Sequence, residues 1–479
     1  MGRRRTAAIV GARWRTAVGT VLAGWLVLVA ASDGEAGGSA GGKGGRWTQL
    51  GHDLASTFHN PAAALTPKRA ARLKTAWTYE APGSVNGAPV VTGDRAIVLS
   101  QSGLVALDSG NGQEVWKRDD IHGSSSPALR GGVLYAYAGD TTLWAVNAKD
   151  GSDRWKVKAD EQRYATGFSS PVVAGDAVIV GLSSLEEVAA QGSATFRGGV
   201  VAFDRRTGKE RWRYRTAEQP YNGVGVWSTV SVDLDAQTVF ATTGNNYTDS
   251  AGPTSDSVIA LDIRSGEVRW IRQVTTDDVF TLANARSQDS DFGTNPILFE
   301  ADVKGARRKL LGAGQKSGMF SVLDRGTGEI VWQRMVSDGS ALIGGVFNNG
   351  AYDGRSIIMA GNNGPPGPAP DAPDRPRTHT VGTSELVALD PATGDERWQT
   401  ELPAYVWAPV TLADGVALVA VDRELRAFDT KTGQQLSSLE TEGTISSAPA
   451  VVGRRVYFGS GLSYLGPTKS GRTVYALEG

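Results

Sequence analysis

One short pattern occurs seven times along the chain and constrains the fold more than any other feature. Each copy consists of an apolar strand, Asp or Asn, three further residues, Gly, and usually Trp four residues after the Gly. Asp or Asn starts a tight turn by bonding its own backbone, and Gly supplies the positive φ that closes the turn. The seven turns are Asp108–Gly112, Asn147–Gly151, Asp204–Gly208, Asp262–Gly266, Asp324–Gly328, Asp390–Gly394 and Asp429–Gly433. The residues that follow them are Trp116, Trp155, Trp212, Trp270, Trp332, Trp398 and, after the seventh turn, Ser437.

The spacing of the copies predicts a β-propeller. Successive copies are 39 to 66 residues apart, and a four-stranded blade needs about 40 residues, so we interpret the longer units as blades with loop insertions. Each unit divides into short apolar and β-branched runs bounded by Gly, Asp and Ser, as strands do. In the second unit the predicted strands are Ser126–Leu129, Gly132–Tyr137, Thr142–Asn147 and Asp153–Val157.

The two ends of the chain are expected to share one blade. Three strands are predicted after the seventh turn, at Ser446–Val452, Arg455–Gly459 and Thr473–Leu477, and a fourth is missing. The segment Leu73–Tyr79 around Trp77 is an outer strand without a blade of its own. Pairing it with the last strand removes two exposed edges and predicts an all-β, eight-bladed propeller. The alternative is a seven-bladed ring with an irregular end.

Composition excludes several classes of function. The chain has 49 basic and 50 acidic residues and a net charge of −1, which gives no electrostatic basis for binding nucleic acid. It contains no cysteine, which excludes disulfides, thiolate metal sites and C-x-x-C-H attachment of haem. We therefore expect no nucleic-acid partner and no haem on this chain.

The N-terminal region has the features of an export signal. Arginines precede an apolar run from Ala17 to Ala31, which is short for a membrane span and typical of a signal-peptide core. We assign residues 1–31 to a signal peptide, 32–45 to a Gly-rich linker and 46–479 to the propeller. The predicted location is periplasmic or secreted; an uncleaved membrane anchor is the alternative.

The chain resembles the quinoprotein alcohol dehydrogenases, propellers that bind pyrroloquinoline quinone (PQQ) and calcium. Within them it is most similar to the polyvinyl-alcohol-dehydrogenase-like group. The Trp repeat is shared with non-enzymatic propellers, whereas an ordered set of loop motifs is more specific. These motifs are Trp47–Asp53 continuing through Asn60 and Leu65, Gly181–Glu187, Thr195–Gly198, Thr243–Asn246, Asp289–Gly293 and Gly312–Gly318.

Strand direction predicts that several of these motifs converge. If the strands of a blade are named A to D from the axis outward, the B-to-C and D-to-A loops lie on one face. The Asp-x-x-x-Gly turns between C and D lie on the other. Glu186, Asn245 and Lys316 follow B strands of units 3, 4 and 5, and Asp289 precedes the A strand of unit 5. All four are therefore expected on one face of three consecutive blades. Trp227 and Trp407, which start A strands, are expected there too.

The resemblance implies a role for each of these residues. Glu186, Asn245 and Asp289 would bind Ca²⁺ through oxygen atoms, which are the ligands that this ion prefers. Asp289 would also accept the hydroxyl proton of an alcohol as hydride moves to the quinone. Lys316, Trp227, Trp407 and Glu186 would contact the cofactor. The implied activity is PQQ-dependent oxidation of an alcohol, secondary or polymeric, with electrons passing to a separate cytochrome or another acceptor.

Structural explanations also exist for each candidate residue. Glu186 and Asp289 could be solvated loop carboxylates, Asn245 could form an Asx turn, and Lys316 could be a surface charge. Trp227 could be ordinary blade packing. On this interpretation the chain is a non-catalytic propeller that binds proteins outside the cytoplasm. A carbohydrate-active propeller would need two carboxylates about 5–10 Å apart, and Asp289 with Asp291 are candidates.

One departure from the family pattern bears on these alternatives. The family often has an Arg near the quinone carboxylates before an early A strand, whereas the matching stretch Gly123–Pro127 carries no cation.

The Pro-rich stretch Gly364–Arg377 interrupts the B-to-C connection of unit 6. We expect it to be an irregular loop on the same face as the candidate site.

Overall fold

The computed structural model describes residues 45–187, 194–248, 252–278, 280–281, 289–340, 343–365, 378–462 and 469–479. The predicted signal peptide (1–31) and all but the last residue of the predicted linker (32–45) lie outside these ranges. Residues 366–377 of the Pro-rich loop also lie outside these ranges, whereas the residues on either side of them are described. Pro365 accepts a hydrogen bond from Ser340, and the backbone of Thr378 donates to Asp338.

The described residues form eight antiparallel sheets, each with four main strands, which confirms the eight-bladed propeller. The first four blades consist of Val90–Val91, Arg95–Ser100, Gly103–Asp108 and Glu114–Arg118; Ala128–Arg130, Val133–Tyr137, Thr142–Asn147 and Asp153–Lys158; Val172–Ala174, Ala177–Ser184, Gly199–Asp204 and Glu210–Arg215; and Ser231–Asp233, Thr238–Thr242, Ser257–Asp262 and Val268–Gln273. Blade 3 has a further short strand, Ala165–Thr166, on its B strand.

Blades 5 to 8 follow the same plan. Their strands are Ile297–Val303, Ala306–Gly314, Met319–Asp324 and Ile330–Met335; Ala351–Tyr352, Ile357–Asn362, Ser384–Leu389 and Glu396–Leu402; Thr411–Ala413, Val416–Val421, Glu424–Asp429 and Gln435–Glu440; and Ala450–Val452, Arg455–Gly459, Thr473–Glu478 and Lys74–Glu80. The last of these strands comes from the N-terminal part of the chain. Trp77 pairs with Ala476, so the ring closes through the predicted shared blade.

The repeated turn and the repeated Trp meet between neighbouring blades. The indole of Trp270 in blade 4 donates through Nε1 to the carbonyl of Arg325 in blade 5, at 3.2 Å. A Cβ on Gly328 would lie 2.6 Å from the Cε3 of the same indole, and Gly328 has a φ of 71°. Gly is therefore required for its backbone conformation and for the space that the indole occupies. The equivalent Trp–Gly pairs are Trp77–Gly112, Trp116–Gly151, Trp155–Gly208, Trp212–Gly266, Trp332–Gly394 and Trp398–Gly433.

Ser437 interrupts this series because its neighbour is different. Blade 8 has no repeated turn, and the short helix Pro67–Ala70 packs against the two outer strands of blade 7. The hydroxyl of Ser437 donates to the carbonyl of Ala70 at 2.7 Å. A small polar residue therefore replaces Trp where the N-terminal helix replaces a turn.

Within the described residues, α-helical backbone is found in this helix of 4 residues and at Glu186 and Glu187. None of the helices in the described ranges is long and apolar enough to cross a membrane.

Candidate functional site

A cavity of about 380 Å³ lies on the propeller axis, on the face of the B-to-C and D-to-A loops. Every blade contributes to its wall from the segment just before its A strand. One such residue per blade is Ala88, Ser126, Ser170, Thr229, Asn295, Asn349, Pro409 and Ala448. The cavity is therefore located where strand direction predicted that the loop motifs would meet.

A belt of hydrogen bonds joins these wall residues across blades 1 to 6. In each bond a side-chain oxygen on one blade accepts from the backbone N–H of the wall residue on the preceding blade. The acceptors are Ser126 (2.7 Å), Ser170 (2.9 Å), Thr229 (2.9 Å), Asn295 (2.8 Å) and Asn349 (3.0 Å). Pro409 and Ala448 occupy the same position on blades 7 and 8 and have no side-chain acceptor. The side chains of the belt are thus polar on blades 2 to 6 and apolar on blades 7, 8 and 1.

A charged cluster stands at the edge of this neutral belt. Lys316 Nζ lies 3.0 Å from Asp289 Oδ2 and 2.6 Å from Asp291 Oδ2. The three side chains are 12%, 1% and 8% exposed. Burial disfavours the charged ammonium, but the two carboxylates outweigh burial and raise the pKa of Lys316. Lys316 is therefore a charged member of the cavity wall and not a surface lysine.

Tight backbone geometry places the cluster. Lys316 lies in the short B-to-C loop of blade 5, which Gly318 closes with a φ of 88°. A Cβ on Gly244 would lie 2.8 Å from Asp291 Oδ1, so Gly at this position lets the carboxylate approach. As a result Asp291 Oδ1 accepts from the backbone N–H of Asn245 at 2.5 Å. The loops of blades 4 and 5 are thereby fastened to each other at the cavity.

The Asn245 side chain is oriented by the D-to-A loop of the next blade. Its Nδ2 donates to the carbonyl of Phe280 at 2.8 Å and lies 3.4 Å from Glu187 Oε1. Because the nitrogen is used as a donor, the carbonyl oxygen Oδ1 is the atom of this amide that can bind a cation. Asn245 lines the cavity, as do Trp227 and Trp407.

Glu186 is placed differently from the other candidates. Its carboxylate accepts from the backbone N–H groups of Thr195 (2.8 Å) and Phe196 (2.5 Å), and from the Thr195 hydroxyl (3.1 Å). These bonds fasten the returning strand of blade 3, and Glu186 is not among the residues of the cavity wall. The neighbouring Glu187 is. Asp289 does not line the wall either and is joined to it through Lys316.

Aromatic side chains lie beside the charged cluster and also across the cavity from it. Lys316 Nζ lies 5.6 Å from the ring centroid of Trp227. On the opposite side of the ring, Trp407 contacts Tyr405 and Phe347 edge-on, with ring centroids 5.8 Å and 6.1 Å apart. The cavity therefore offers two indoles and one ammonium to a flat, anionic ligand.

Several residues that line the cavity are not predicted from the sequence. Asp291 was considered only as half of a carbohydrate-type pair, and Glu187, Asn86 and Asn295 were assigned no role. A usable signal exists for the belt, because its residue directly precedes Pro on blades 1, 2, 3, 5 and 8, at Pro89, Pro127, Pro171, Pro296 and Pro449. No comparable signal distinguishes Glu187 from Glu186.

The negative charges of the cluster help to raise the pKa values of two more buried carboxyl groups. Burial, with the charges of Asp289 and Asp291, raises the pKa of Asp278 to about 7, although backbone N–H donors at Phe280 and Ser290 oppose this. Asp256 is completely buried, and burial with the charge of Asp278 raises its pKa well above the usual range. Blades 4 and 5 thus concentrate acidic groups on one side of the axis. The described residues nevertheless contain no group of three or more His, Asp or Glu arranged to hold a metal.

Unsatisfied polar atoms indicate that the cavity is built for a polar ligand. Asn86 and Asn295 line the wall. Both amide atoms of Asn86 and the Nδ2 of Asn295 are buried and have no hydrogen-bond partner among the described residues. Leaving such a group unpaired costs about 1–3 kcal/mol, so a native protein normally supplies a partner. A ligand with several oxygen and nitrogen atoms fits this requirement, and PQQ is such a molecule.

Comparison with known proteins agrees with this chemistry. Residues 158–338 match the family described as "Glucose/ethanol/alcohol dehydrogenase, beta-propeller domain". Residues 315–477 match "Outer membrane protein assembly factor BamB". In fold, the chain is similar to the crystal structure of quinohemoprotein alcohol dehydrogenase from Comamonas testosteroni, with a TM-score of 0.74 and 20% identity over 90% of this chain and 80% of that one.

Sequence similarity extends over nearly the whole chain. The polyvinylalcohol dehydrogenase of a Pseudomonas species is 30% identical over 481 residues, covering 91% of this chain and 73% of the relative. The corresponding enzyme of Sphingopyxis sp. (strain 113P3) is 30% identical over 469 residues, covering 85% and 68%. Both relatives are oxidoreductases, which favours the enzyme interpretation over the scaffold. The chain belongs to the family of PQQ-dependent alcohol dehydrogenase-like propellers that includes the polyvinyl alcohol dehydrogenases.

Proposed function

We propose that this chain oxidises an alcohol with PQQ bound in the axial cavity. One observation carries the proposal. The chain belongs to a family of dehydrogenases, and the charged side chains of its cavity wall all come from blades 3 to 5. They are Glu187, Asp291 and Lys316. A protein-binding scaffold has no need of a buried ammonium between two carboxylates beside an indole, whereas proton and hydride transfer require groups of this kind.

The residues of the wall fit the cofactor. Trp227 and Trp407 offer aromatic faces to a flat ring system, and Lys316 offers a positive charge to its oxygen atoms. Asn86 and Asn295 offer amide atoms that lack protein partners. Asn86, in blade 1, is a neutral donor and acceptor in a part of the wall that carries no cation. It would compensate in part for the Arg that is missing from Gly123–Pro127.

The side chains divide the chemistry between them. When bound, the quinone supplies the two-electron acceptor for hydride from the alcohol carbon, a step that amino-acid side chains cannot perform. Asp289 would accept the hydroxyl proton of the alcohol at Oδ1, because Lys316 holds Oδ2. Its carboxylate would have to turn toward the cavity, whose wall it joins only through Lys316 in this structure. Lys316 holds this carboxylate in place and stabilises negative charge that develops on oxygen atoms nearby. Asp291 keeps Lys316 directed toward the cluster and fixes the Asn245 loop.

A Ca²⁺ ion is part of the proposal. Asn245 Oδ1, a carboxylate oxygen of Asp289 and a glutamate from blade 3 are hard oxygen ligands of the kind that Ca²⁺ prefers. Of the two adjacent glutamates, Glu187 lines the cavity, while Glu186 retains its three hydrogen bonds to residues 195 and 196. We therefore favour Glu187 as the glutamate ligand, with Glu186 as the residue that holds its loop.

The names of the relatives suggest the substrate, and the sequence suggests the location. Polyvinyl alcohol is a polymeric secondary alcohol, so we propose a secondary or polymeric alcohol as substrate. A separate cytochrome or another acceptor would reoxidise the cofactor. The N-terminal signal proposed for residues 1–31 would export the chain to the periplasm or the medium.

A protein-binding scaffold is the second candidate function. It is favoured by the match of residues 315–477 to the outer-membrane assembly factor. Those residues form blades 6 and 7, three strands of blade 8 and the two outer strands of blade 5. Beyond Lys316 they contribute only neutral side chains to the cavity wall. On this proposal the loops would bind a partner protein and the cavity would have no catalytic role.

Dye-linked alcohol oxidation distinguishes the two functions. The purified chain would be incubated with PQQ, with and without Ca²⁺, and assayed with primary, secondary and polymeric alcohols and an artificial electron acceptor. We expect PQQ-dependent dye reduction that is stimulated by Ca²⁺ and lost with EDTA. Absence of turnover with every alcohol, in protein shown to be folded, would refute the enzyme proposal and favour the scaffold.

A further inference from the structure

The N-terminal residues Trp47–Ala64 form a strap that runs around the axis inside the ring. The strap bonds through its backbone to the inner strands of six blades and to the turn after the inner strand of blade 8, in the order of the blades. Carbonyl groups of the strap accept from the N–H groups of Val91, Leu129, Val232, Leu298, Tyr352 and Leu412, at 2.7–2.9 Å. On blade 8 the strap donates instead, from Ala64 N to Gly453 O at 2.7 Å. Blade 3 receives an apolar contact from Leu54.

The strap lies at a constant depth below the cavity. On each of the six blades that donate to it, the bonded residue follows the wall residue by three positions, as Val91 follows Ala88 and Leu298 follows Asn295. Strand residues rise by about 3.3 Å each, so the strap is about 10 Å below the belt. It therefore lies along the inner wall of the ring, between the cavity and the face of the repeated turns.

The strap follows the ring because its backbone is bent at defined residues. Gly51, His52, Ser56 and Phe58 have φ values of 78°, 72°, 52° and 49°. Asp53 stabilises the bend: its Oδ1 accepts from the N–H groups of Ala55 and Thr57 at 3.0 and 3.1 Å, and its Oδ2 accepts from the Thr57 hydroxyl at 2.6 Å. These contacts hold a conformation that a straight strand could not provide.

Leu50 is the one residue of the strap that reaches the cavity wall. It also packs against the core shared by blades 1, 6, 7 and 8. Leu54, four residues later, packs against the core of blades 3 and 4 and is not part of the wall. Both leucines are half-buried and each packs against a core cluster, but only Leu50 faces the space that a ligand would fill.

We infer that the strap closes the axial channel, so that ligands enter and leave only from the loop face, and that Leu50 is the floor that positions the bound ligand. Leu50 is thus a positioning residue outside the charged cluster. The inference rests on the proposed function for the identity of the ligand, PQQ, which serves as the probe. The closure of the channel does not depend on that identity.

The test compares Leu50→Ala with Leu54→Ala in the full chain. Equilibrium dialysis would give the Kd of PQQ for both variants and the wild type, with thermal unfolding as a check on folding. We expect Leu50→Ala to weaken PQQ binding about tenfold, as removal of about two buried methylene equivalents would. Leu54→Ala should change the Kd less than twofold while lowering the thermal midpoint to a similar extent. Equal Kd values for the two variants would overturn the role of Leu50.

A second measurement tests closure without PQQ. In the wild type, hydrogen exchange at the amides of Leu129, Val232, Leu298 and Tyr352 should be as slow as in the B and C strands, because the strap bonds them. Fast exchange at these amides would show that the channel is open and would overturn the closure. If PQQ fails to bind the wild type but exchange is slow, the proposed function is wrong and the closure stands.

Discussion

The two faces of the propeller differ in what their residues do. On the face of the turns, seven copies of one arrangement recur, in which an indole packs on a Gly and donates to a carbonyl of the next blade. On the loop face, the segments before the A strands share only the belt position, and their other residues differ from blade to blade. The repeated face determines the ring, and departures from the repeat on the opposite face produce the candidate site.

The same contrast exists within the loop face, between carboxylates with different partners. In blade 5, Asp289 is buried beside Lys316 at the cavity. In blade 8, Glu442 accepts from the Ser460 hydroxyl, from backbone N–H groups of Arg472 and Thr473, and from the Tyr475 hydroxyl. Glu442 fastens a loop, whereas Asp289 belongs to a charged pair beside an open space. Substitutions in the two regions should therefore affect different properties.

The largest expected effect is on turnover, from Asp289→Asn. Asn has nearly the same shape but cannot accept the alcohol proton, and groups that transfer protons contribute about 10²–10⁴-fold in rate. We expect kcat for dye-linked oxidation to fall by at least this range, with little change in thermal stability. Asp324→Asn, in the repeated turn of the same blade, is the matched control and should leave kcat unchanged. Similar losses of kcat in both variants would contradict the contrast between the faces.

The next effect is on stability, from Gly328→Ala on the face of the turns. The new Cβ would meet the Trp270 indole at 2.6 Å, and the residue has a φ of 71°. We expect the free energy of unfolding to fall by about 2–4 kcal/mol. Gly305→Ala isolates the cost of the backbone conformation, because Gly305 has a φ of 83° and nothing within 4 Å of the added Cβ.

Gly305→Ala should therefore cost only about 1–2 kcal/mol, as measured by denaturant unfolding. Neither variant should alter the Kd of PQQ. Equal destabilisation by the two substitutions would mean that the indole contact contributes nothing and that Gly is retained for its φ alone.

The smallest effect should depend on pH and come from Glu442→Gln. Burial opposes ionisation of Glu442, but hydrogen bonds from Ser460, Tyr475 and Thr473 outweigh burial and lower its pKa to about 2. The carboxylate is therefore stabilising above its unfolded pKa of about 4.5, and this contribution is lost as the pH falls toward 2. The thermal midpoint of the variant should lie below that of the wild type at pH 7, and the difference should shrink at pH 3. A difference that is constant with pH would exclude the carboxylate as its cause.

The sequence predicted the ring better than the site. The repeat predicted the eight blades and the pairing of the Trp77 strand with Thr473–Leu477. Each blade needs four paired strands, and the C-terminal part of the chain supplies only three for the last blade. The loops followed strand direction, so Asn245, Lys316, Trp227 and Trp407 were correctly expected on one face and lie at the cavity. Which of two adjacent glutamates faces the cavity depends on how the backbone bends after the strand ends at Ser184, and no sequence pattern determines that. Likewise, the presence of Ser437 in place of Trp is explained by a helix from the other end of the chain, which the local repeat does not reveal.

The most direct test of the proposed function is the binding of PQQ to the wild type and to Lys316→Met, measured by equilibrium dialysis with Ca²⁺ present. The proposal predicts one PQQ per chain for the wild type. It also predicts binding at least tenfold weaker for the variant, because a buried charge-assisted contact is lost. Thermal unfolding of both proteins would show that the fold is kept. A wild-type chain that is folded and takes up no PQQ, or a variant that binds PQQ as tightly as the wild type, would contradict the account.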